Sequence, residues 1–200
     1  MRLYFMPGAC SLAPHIALCE AALPFDLVEV DYRTRRTTGG GDYREINPKG
    51  YVPALALDSG EILTEVPVIL QYVAGQAAEA TLLPASGLPR LRALEWLNFI
   101  ATEIHKSFSP LFRPDTPPSF LEPGKRHLRR RLAVVERHLR QNAYLMGTGF
   151  SLADVYLYVV CRWLEDLNMA LADWPALKRH TDTIAERPSV RQAMAREGLI

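Results

Sequence analysis

Cysteine is scarce. Cys10, Cys19 and Cys161 are the only three in 200 residues, too few and too scattered for a disulfide framework or a thiolate metal site. A cysteine with a special role here is therefore reactive rather than structural, and no metal is expected. Charge of one sign is also lacking: the net charge is +1, which leaves no strong field to recruit nucleic acid or an anionic membrane. No run of roughly 18 apolar residues is present to span a bilayer. The opening stretch from Met1 to Ser11 lacks the basic region and long apolar segment of a secretory leader, so a cytoplasmic location is expected. The balance of 48% hydrophobic and 22% charged residues is that of an ordinary folded protein, so disorder is not the default expectation. A small molecule or another protein is the expected partner.

Charge is nevertheless distributed unevenly. In residues 1–80, 6 Lys and Arg face 10 Asp and Glu; in residues 81–200, 17 face 12, a net −4 against +5. This shift predicts two domains, 1–80 and 90–200, joined by a linker over 81–89 that contains Leu82 to Pro89 with two prolines, a glycine and a serine. The first domain reads as a strand at Leu3–Met6, a helix from about Ser11, and a strand at Asp26–Asp31. Short strands then follow around Ala54–Leu57 and Ile62–Leu63, with a turn at Asp58-Ser59-Gly60 and a helix from Glu65 to about Gln76. Such alternation implies a mixed sheet with helical cover. The second domain changes period, with helices predicted over Leu91–Phe108, Lys125–Gln141, Leu152–Asn168, Ala176–Arg187 and Val190–Glu197. Phe150-Ser151-Leu152-Ala153-Asp154 is a capping box at the start of one of these helices, a folding signal rather than a functional one.

Four local features can carry chemistry. Cys10, in Pro7-Gly8-Ala9-Cys10-Ser11, falls between a predicted strand and a predicted helix, where helix amides favour a thiolate. A small buried apolar residue is the competing reading of the same position. The place three residues on, where dithiol oxidoreductases keep a second cysteine, is Ala13, so a local disulfide is excluded. Cys19 and Cys161 read as inert core.

Tyr51-Val52-Pro53-Ala54 holds Val52 extended, and a cis bond there would turn its backbone groups toward a peptide-like ligand that pairs as an added strand. Thr64-Glu65, followed by Pro67, starts a helix whose amides can bind a carboxylate. His105-Lys106, in Glu103-Ile104-His105-Lys106-Ser107, is unspecific by itself, since a solvated helix face carries such residues routinely. The basic run Lys125–Arg131 is dispersed by helical spacing around a surface helix that also carries Leu128 and Leu132, and no nucleic-acid partner is expected.

In combination these motifs are specific. Pro7-Gly8-Ala9-Cys10-Ser11-Leu12, Asn47-Pro48-Lys49-Gly50-Tyr51-Val52-Pro53-Ala54-Leu55, Leu63-Thr64-Glu65, Glu95-Trp96-Leu97-Asn98-Phe99-Ile100, Glu103-Ile104-His105-Lys106 and Phe150–Asp154 occur in one order. The whole chain resembles the bacterial beta-class glutathione transferases. That resemblance implies an α/β thioredoxin-like N-terminal domain plus an all-α C-terminal helical bundle, glutathione as cosubstrate, no metal, no membrane attachment and a homodimer. It implies that Cys10 and His105 are catalytic and flank the glutathione sulfur. It further implies that Ser11, Val52, Pro53, Glu65 and Val66 contact glutathione, with Arg35 where the family often has lysine. Asn98, Thr102, Glu103, Ile104, His105 and Lys106 line the site, some of them across the dimer interface. Phe108, Phe112 and Trp163 are expected to line the electrophile pocket between the domains, with core packing an equally good reading of these aromatics.

Two departures matter. Position 5, where other transferase classes place a catalytic tyrosine, is Phe5, and Tyr4 points to the opposite face of the strand, which disfavours a tyrosine mechanism. Val66 stands where many glutathione-binding domains have serine, so one hydroxyl bond to the γ-glutamyl carboxylate is lost and binding is expected to weaken by about 0.5–1.5 kcal/mol. The expected function is conjugation of glutathione to small apolar electrophiles in detoxification, with thiol transfer or peroxidase chemistry through Cys10. The rival is a non-catalytic interaction module on the same fold.

Overall fold

Alternation of apolar residues on the first strand decides what each face of the sheet meets. β1 (Arg2–Phe5) is followed by α1 (Leu12–Glu20), β2 (Asp26–Glu29), α2 (Tyr43–Ile46), β3 (Ala54–Ala56), β4 (Ile62–Thr64) and α3 (Val66–Gln76). The four strands form one sheet in the order β2-β1-β3-β4, with β1 parallel to β2 and antiparallel to β3, and β3 antiparallel to β4. Leu3 and Leu55 pair across β1 and β3 and are fully buried. On the other face, Tyr4, Met6, Val30, Tyr43, Val52 and Ala54 form a second buried cluster. The computed structural model describes residues 1–77 and 82–200, so the last residues of the expected 1–80 domain and the first of the expected 81–89 linker lie outside the described residues.

The chain then continues through α4 (Gly87–Phe99), a π-helical turn (Ile100–His105), α5 (Lys106–Phe108), α6 (Pro118–Leu139), α7 (Leu152–Arg162), α8 (Pro175–Ala185) and α9 (Pro188–Arg196). Two compact units result: Met1–Leu83 together with Glu186–Ile200, and Pro84–Ala185. The C-terminal helix α9 thus belongs with the sheet, packed on α1, whereas charge and periodicity had grouped all of 90–200 as one helical domain. Its attachment is polar at both ends. Arg187 and Ser189 hold the Glu20 carboxylate, and Glu197 reaches the Pro7–Cys10 turn.

Prolines account for the largest boundary differences. α6 starts at Pro118 rather than Lys125, because a proline in the first helical turn loses no hydrogen bond and brings its φ already set. Pro123 and Gly124 lie inside the helix, and Gly124 is buried against Leu111, where an added Cβ would stand 2.7 Å from a methyl carbon. The predicted helix over Leu152–Asn168 stops at Arg162 and gives way to a 3-10 turn that ends at Asn168 in the left-handed region, φ 53°. Short α2 has too few residues for a periodic signal; Asp42 caps it by accepting the Arg44 amide at 2.9 Å.

The capping box at α7 forms and is larger than the sequence indicates. Fully buried Asp154 accepts from the Ser151 amide (2.8 Å) and hydroxyl (2.9 Å), the Leu145 amide (2.8 Å) and His180 Nε2 (2.8 Å). One carboxylate therefore ties the 145–151 loop, α7 and α8 together. On α6, Leu128 and Leu132 are buried while Arg126, Arg129 and Arg130 are exposed, which spreads the basic run over the solvent side of the helix.

Candidate active site

Cys10 occupies the turn between β1 and α1, and its thiol donates to the Val52 carbonyl at 3.3 Å. Ser11, next in sequence, is fully buried, and its hydroxyl is engaged by the Met6 backbone at both the amide (3.1 Å) and the carbonyl (3.2 Å). The turn is also held from the far end of the chain. The Glu197 carboxylate accepts the Gly8 amide at 3.0 Å and bonds His15 Nδ1 of α1 at 2.8 Å, with both side chains buried. The thiol's protonation follows from this enclosure. Burial pushes the Cys10 thiol up to about 12, with the Glu65 charge adding to the rise and the Cys10 and Ser11 amides opposing it.

Val52 lies beside the thiol with its bond to Pro53 in the cis form. Its amide has no hydrogen-bond partner among the described residues. Beyond β4, Glu65 starts α3 with φ +70°, a left-handed conformation that costs a non-glycine residue about 1–3 kcal/mol and is retained at ligand sites more often than elsewhere. Lys49 Nζ donates to the Glu65 carboxylate (2.7 Å) and to the Thr64 hydroxyl (3.0 Å). Pro67 carries no amide hydrogen, and the Val68 and Ile69 amides both return to the Glu65 carbonyl. The Val66 amide is what this helix start presents to a carboxylate. Arg35 is partly buried, with its guanidinium over the Tyr32 ring at 4.8 Å and its Nη1 at 3.9 Å from the Met6 sulfur.

In the second unit, Ile100–His105 is wound as a π-helix between α4 and α5, an irregularity that re-aims side chains and recurs at functional sites. His105 Nδ1 and the Tyr156 hydroxyl share a 2.6 Å hydrogen bond, and the imidazole stands edge-on to Trp163 with centroids 5.0 Å apart. Glu103 is paired with Arg131 at 3.3 Å, and the Thr102 hydroxyl returns to the Asn98 carbonyl at 3.0 Å. Asn98 and Lys106 are exposed. Phe108, Phe112 and Trp163 form one aromatic group, with centroids 5.4 to 6.2 Å apart. Phe108 is 1% exposed and Phe112 is 44% exposed.

Comparison with known proteins decides the family. The N-terminal glutathione S-transferase domain model matches residues 8–76, and the C-terminal domain model matches residues 99–188. Glutathione S-transferase GstA of Escherichia coli O157:H7 is 43% identical over 200 residues, covering all of both chains. A sphingomonad glutathione S-transferase complexed with glutathione is 44% identical with a TM-score of 0.96, again covering all of both chains. The bacterial beta-class glutathione S-transferase of Sphingomonas chungbukensis is 42% identical with a TM-score of 0.97 and the same complete coverage. The chain belongs to the glutathione S-transferase family. As a glutathione S-transferase it is a transferase with the fold of the cytosolic enzymes, and the beta-class resemblance holds over its full length.

Several sequence-derived assignments need correction within this transferase. Cys10 is half-buried, and the loss of water around its sulfur raises the thiol against the helix-start amides that were expected to favour a thiolate. Ser11 has no hydroxyl to offer a ligand, since Met6 takes it. The Ile104 side chain is fully buried. Phe108 is core, which leaves Phe112 and Trp163 as the accessible aromatics of the group. Cys161 is core as expected, whereas Cys19 is partly exposed beside Arg196.

Glu197, His15, Tyr156 and Arg131 escaped the sequence reading, because each meets its partner across a gap of 28 or more residues and leaves no local pattern. The Cys10 and Cys161 thiols, both raised from the ordinary 9.0 to about 12, set an alkaline limit. Between those values the native state keeps protons that the unfolded chain has released. Their stabilisation is complete below pH 9.0 and is lost as pH climbs toward about 12. The urea midpoint is expected to fall across that interval, and less steeply in Cys161→Ala.

Proposed function

We propose that this transferase joins the glutathione thiolate to small apolar electrophiles, and that Cys10 additionally supports glutathione-dependent thiol transfer or peroxide reduction. The observation that carries the reading is the arrangement around Val52: an unpaired amide on an extended residue with a cysteine sulfur beside it. An extended peptide pairs with such an edge as an added strand, which suits the cysteinyl backbone of glutathione. Val52 and Pro53 form the clamp, with Ser11 contributing through its backbone. Glu65 and the Val66 amide take the γ-glutamyl end, and Arg35 supplies a cation near the same pocket. Asn98, Thr102, Glu103, Lys106 and the Ile104 backbone complete the glutathione site in a homodimer, and Phe112 and Trp163 receive the electrophile. The proposed location is cytoplasmic; no helix among the described residues is long and apolar enough to cross a membrane.

In conjugation the glutathione sulfur forms a C–S bond as the leaving group departs with its electron pair. His105, oriented by Tyr156, donates to the sulfur or takes its proton. In thiol transfer Cys10 attacks the mixed disulfide of glutathione with another thiol and forms a disulfide to glutathione. The displaced thiol leaves with the Cys10 proton, and a second glutathione then restores Cys10 and departs as oxidised glutathione.

Intact-mass analysis after exposure to oxidised glutathione tests this reading. One glutathionyl adduct mapped to Cys10, together with turnover of chlorodinitrobenzene, is the expected outcome. Neither adduct nor turnover would instead leave the non-catalytic interaction module.

A further inference from the structure

We propose that Tyr43 and Asn47 are positioning residues for the glutathione clamp, which they hold by clasping the carbonyl of the residue before it; this rests on the role assigned to Val52 above. The Tyr51 side chain is 64% exposed, yet its carbonyl is turned into the unit. There the Tyr43 hydroxyl donates to it at 2.9 Å and Asn47 Nδ2 donates at 2.6 Å. Both donors are buried, with Tyr43 fully enclosed in the Tyr4, Met6 and Val52 cluster. Two donors fill both lone pairs of that oxygen, and the carbonyl cannot swing without breaking a buried hydrogen bond.

The peptide unit transmits the hold. The Tyr51 carbonyl and the Val52 amide belong to one planar group in which they point in opposite directions, so pinning the oxygen inward turns the Val52 N–H outward. That amide has no partner among the described residues, as a strand edge awaiting a ligand requires. Asn47 is itself immobilised. Its Oδ1 accepts the Lys49 amide at 3.2 Å, its own amide donates to the Tyr43 carbonyl at 2.9 Å, and its carbonyl accepts the Gly50 amide at 2.8 Å. Aspartate would keep the bond to Lys49 but turn an oxygen toward the Tyr51 carbonyl in place of a donor.

Full-length Tyr43→Phe, Asn47→Asp and Asn47→Ala variants test the clasp by calorimetric titration with glutathione and by initial rates with chlorodinitrobenzene, varying each substrate separately. The Kd and KM for glutathione are expected to rise about three- to ten-fold in each, the span of one lost hydrogen bond, while the KM for the electrophile stays at the wild-type value. Asn47→Asp should match Asn47→Ala rather than wild type, since the donated bond is what both lack. Unchanged glutathione affinity in Tyr43→Phe and Asn47→Asp overturns the proposal. A parallel loss of kcat and of both KM values, with a lowered melting temperature, also overturns it by reducing the clasp to a folding role. Failure of the wild-type protein to bind glutathione would instead remove the clamp reading on which the clasp depends.

Discussion

Asp154→Ala is expected to lower the unfolding free energy by about 3–5 kcal/mol, the scale for removing one partner from a buried ionic cluster. Four donors converge on this carboxylate: the Ser151 amide and hydroxyl, the Leu145 amide and His180. Alanine leaves them all without an acceptor in a place that water does not reach, because Asp154 and His180 are both buried. His180 Nδ1 already lacks a partner, so the imidazole has no second bond to fall back on. Ser151→Ala removes one hydroxyl donor and keeps the carboxylate, and should cost only about 0.5–2 kcal/mol, as for other N-terminal caps. Urea denaturation of the two variants beside wild type measures both. Equal losses would show that the carboxylate acts only as a cap and not as the tie between α7, α8 and the 145–151 loop.

Cys10→Ala should abolish the glutathionyl adduct and thiol transfer outright, since the covalent step needs that sulfur and the chain offers no replacement within reach of the Val52 clamp. Cys161 is buried and Cys19 follows at the far end of α1. Conjugation is a different matter. The Cys10 thiol, raised to about 12, is a proton holder near neutral pH rather than an anion. We expect its contribution to conjugation to be that of one hydrogen-bond donor, whose removal costs at most about a hundred- to a thousand-fold in rate. A chlorodinitrobenzene rate that survives in Cys10→Ala while thiol transfer vanishes would separate the two activities. Loss of both would make the cysteine indispensable to each. Rates in the Cys10→Ala variant across pH 6–9, set beside those of wild type, report whether the cysteine shapes the pH profile of conjugation.

The chain's local arrangement was readable because it depends on contiguous residues. Leu3 to Met6 alternate, Pro7-Gly8 turns the chain, and that short stretch places Cys10 at the start of α1. The Val52–Pro53 corner, the start of α3 at Glu65 and the capping box of α7 are equally local, and each stands where the sequence places it. Boundaries drifted where a proline served as a helix start rather than a stop, as at Pro118, and where four residues sufficed for α2.

The motifs therefore determine where along the chain the sulfur of Cys10, the amide of Val52 and the start of α3 fall. Tertiary structure decided their state. Whether Cys10 is thiol or thiolate depends on how much water is removed around it and on its neighbours Val52, from the loop between α2 and β3, and Glu65, at the start of α3. The Gly8 turn is held by Glu197, 189 residues away, and His105 by Tyr156, 51 residues away. Desolvation and pairing across such separations are properties of the assembled interior, and no window of sequence contains both partners.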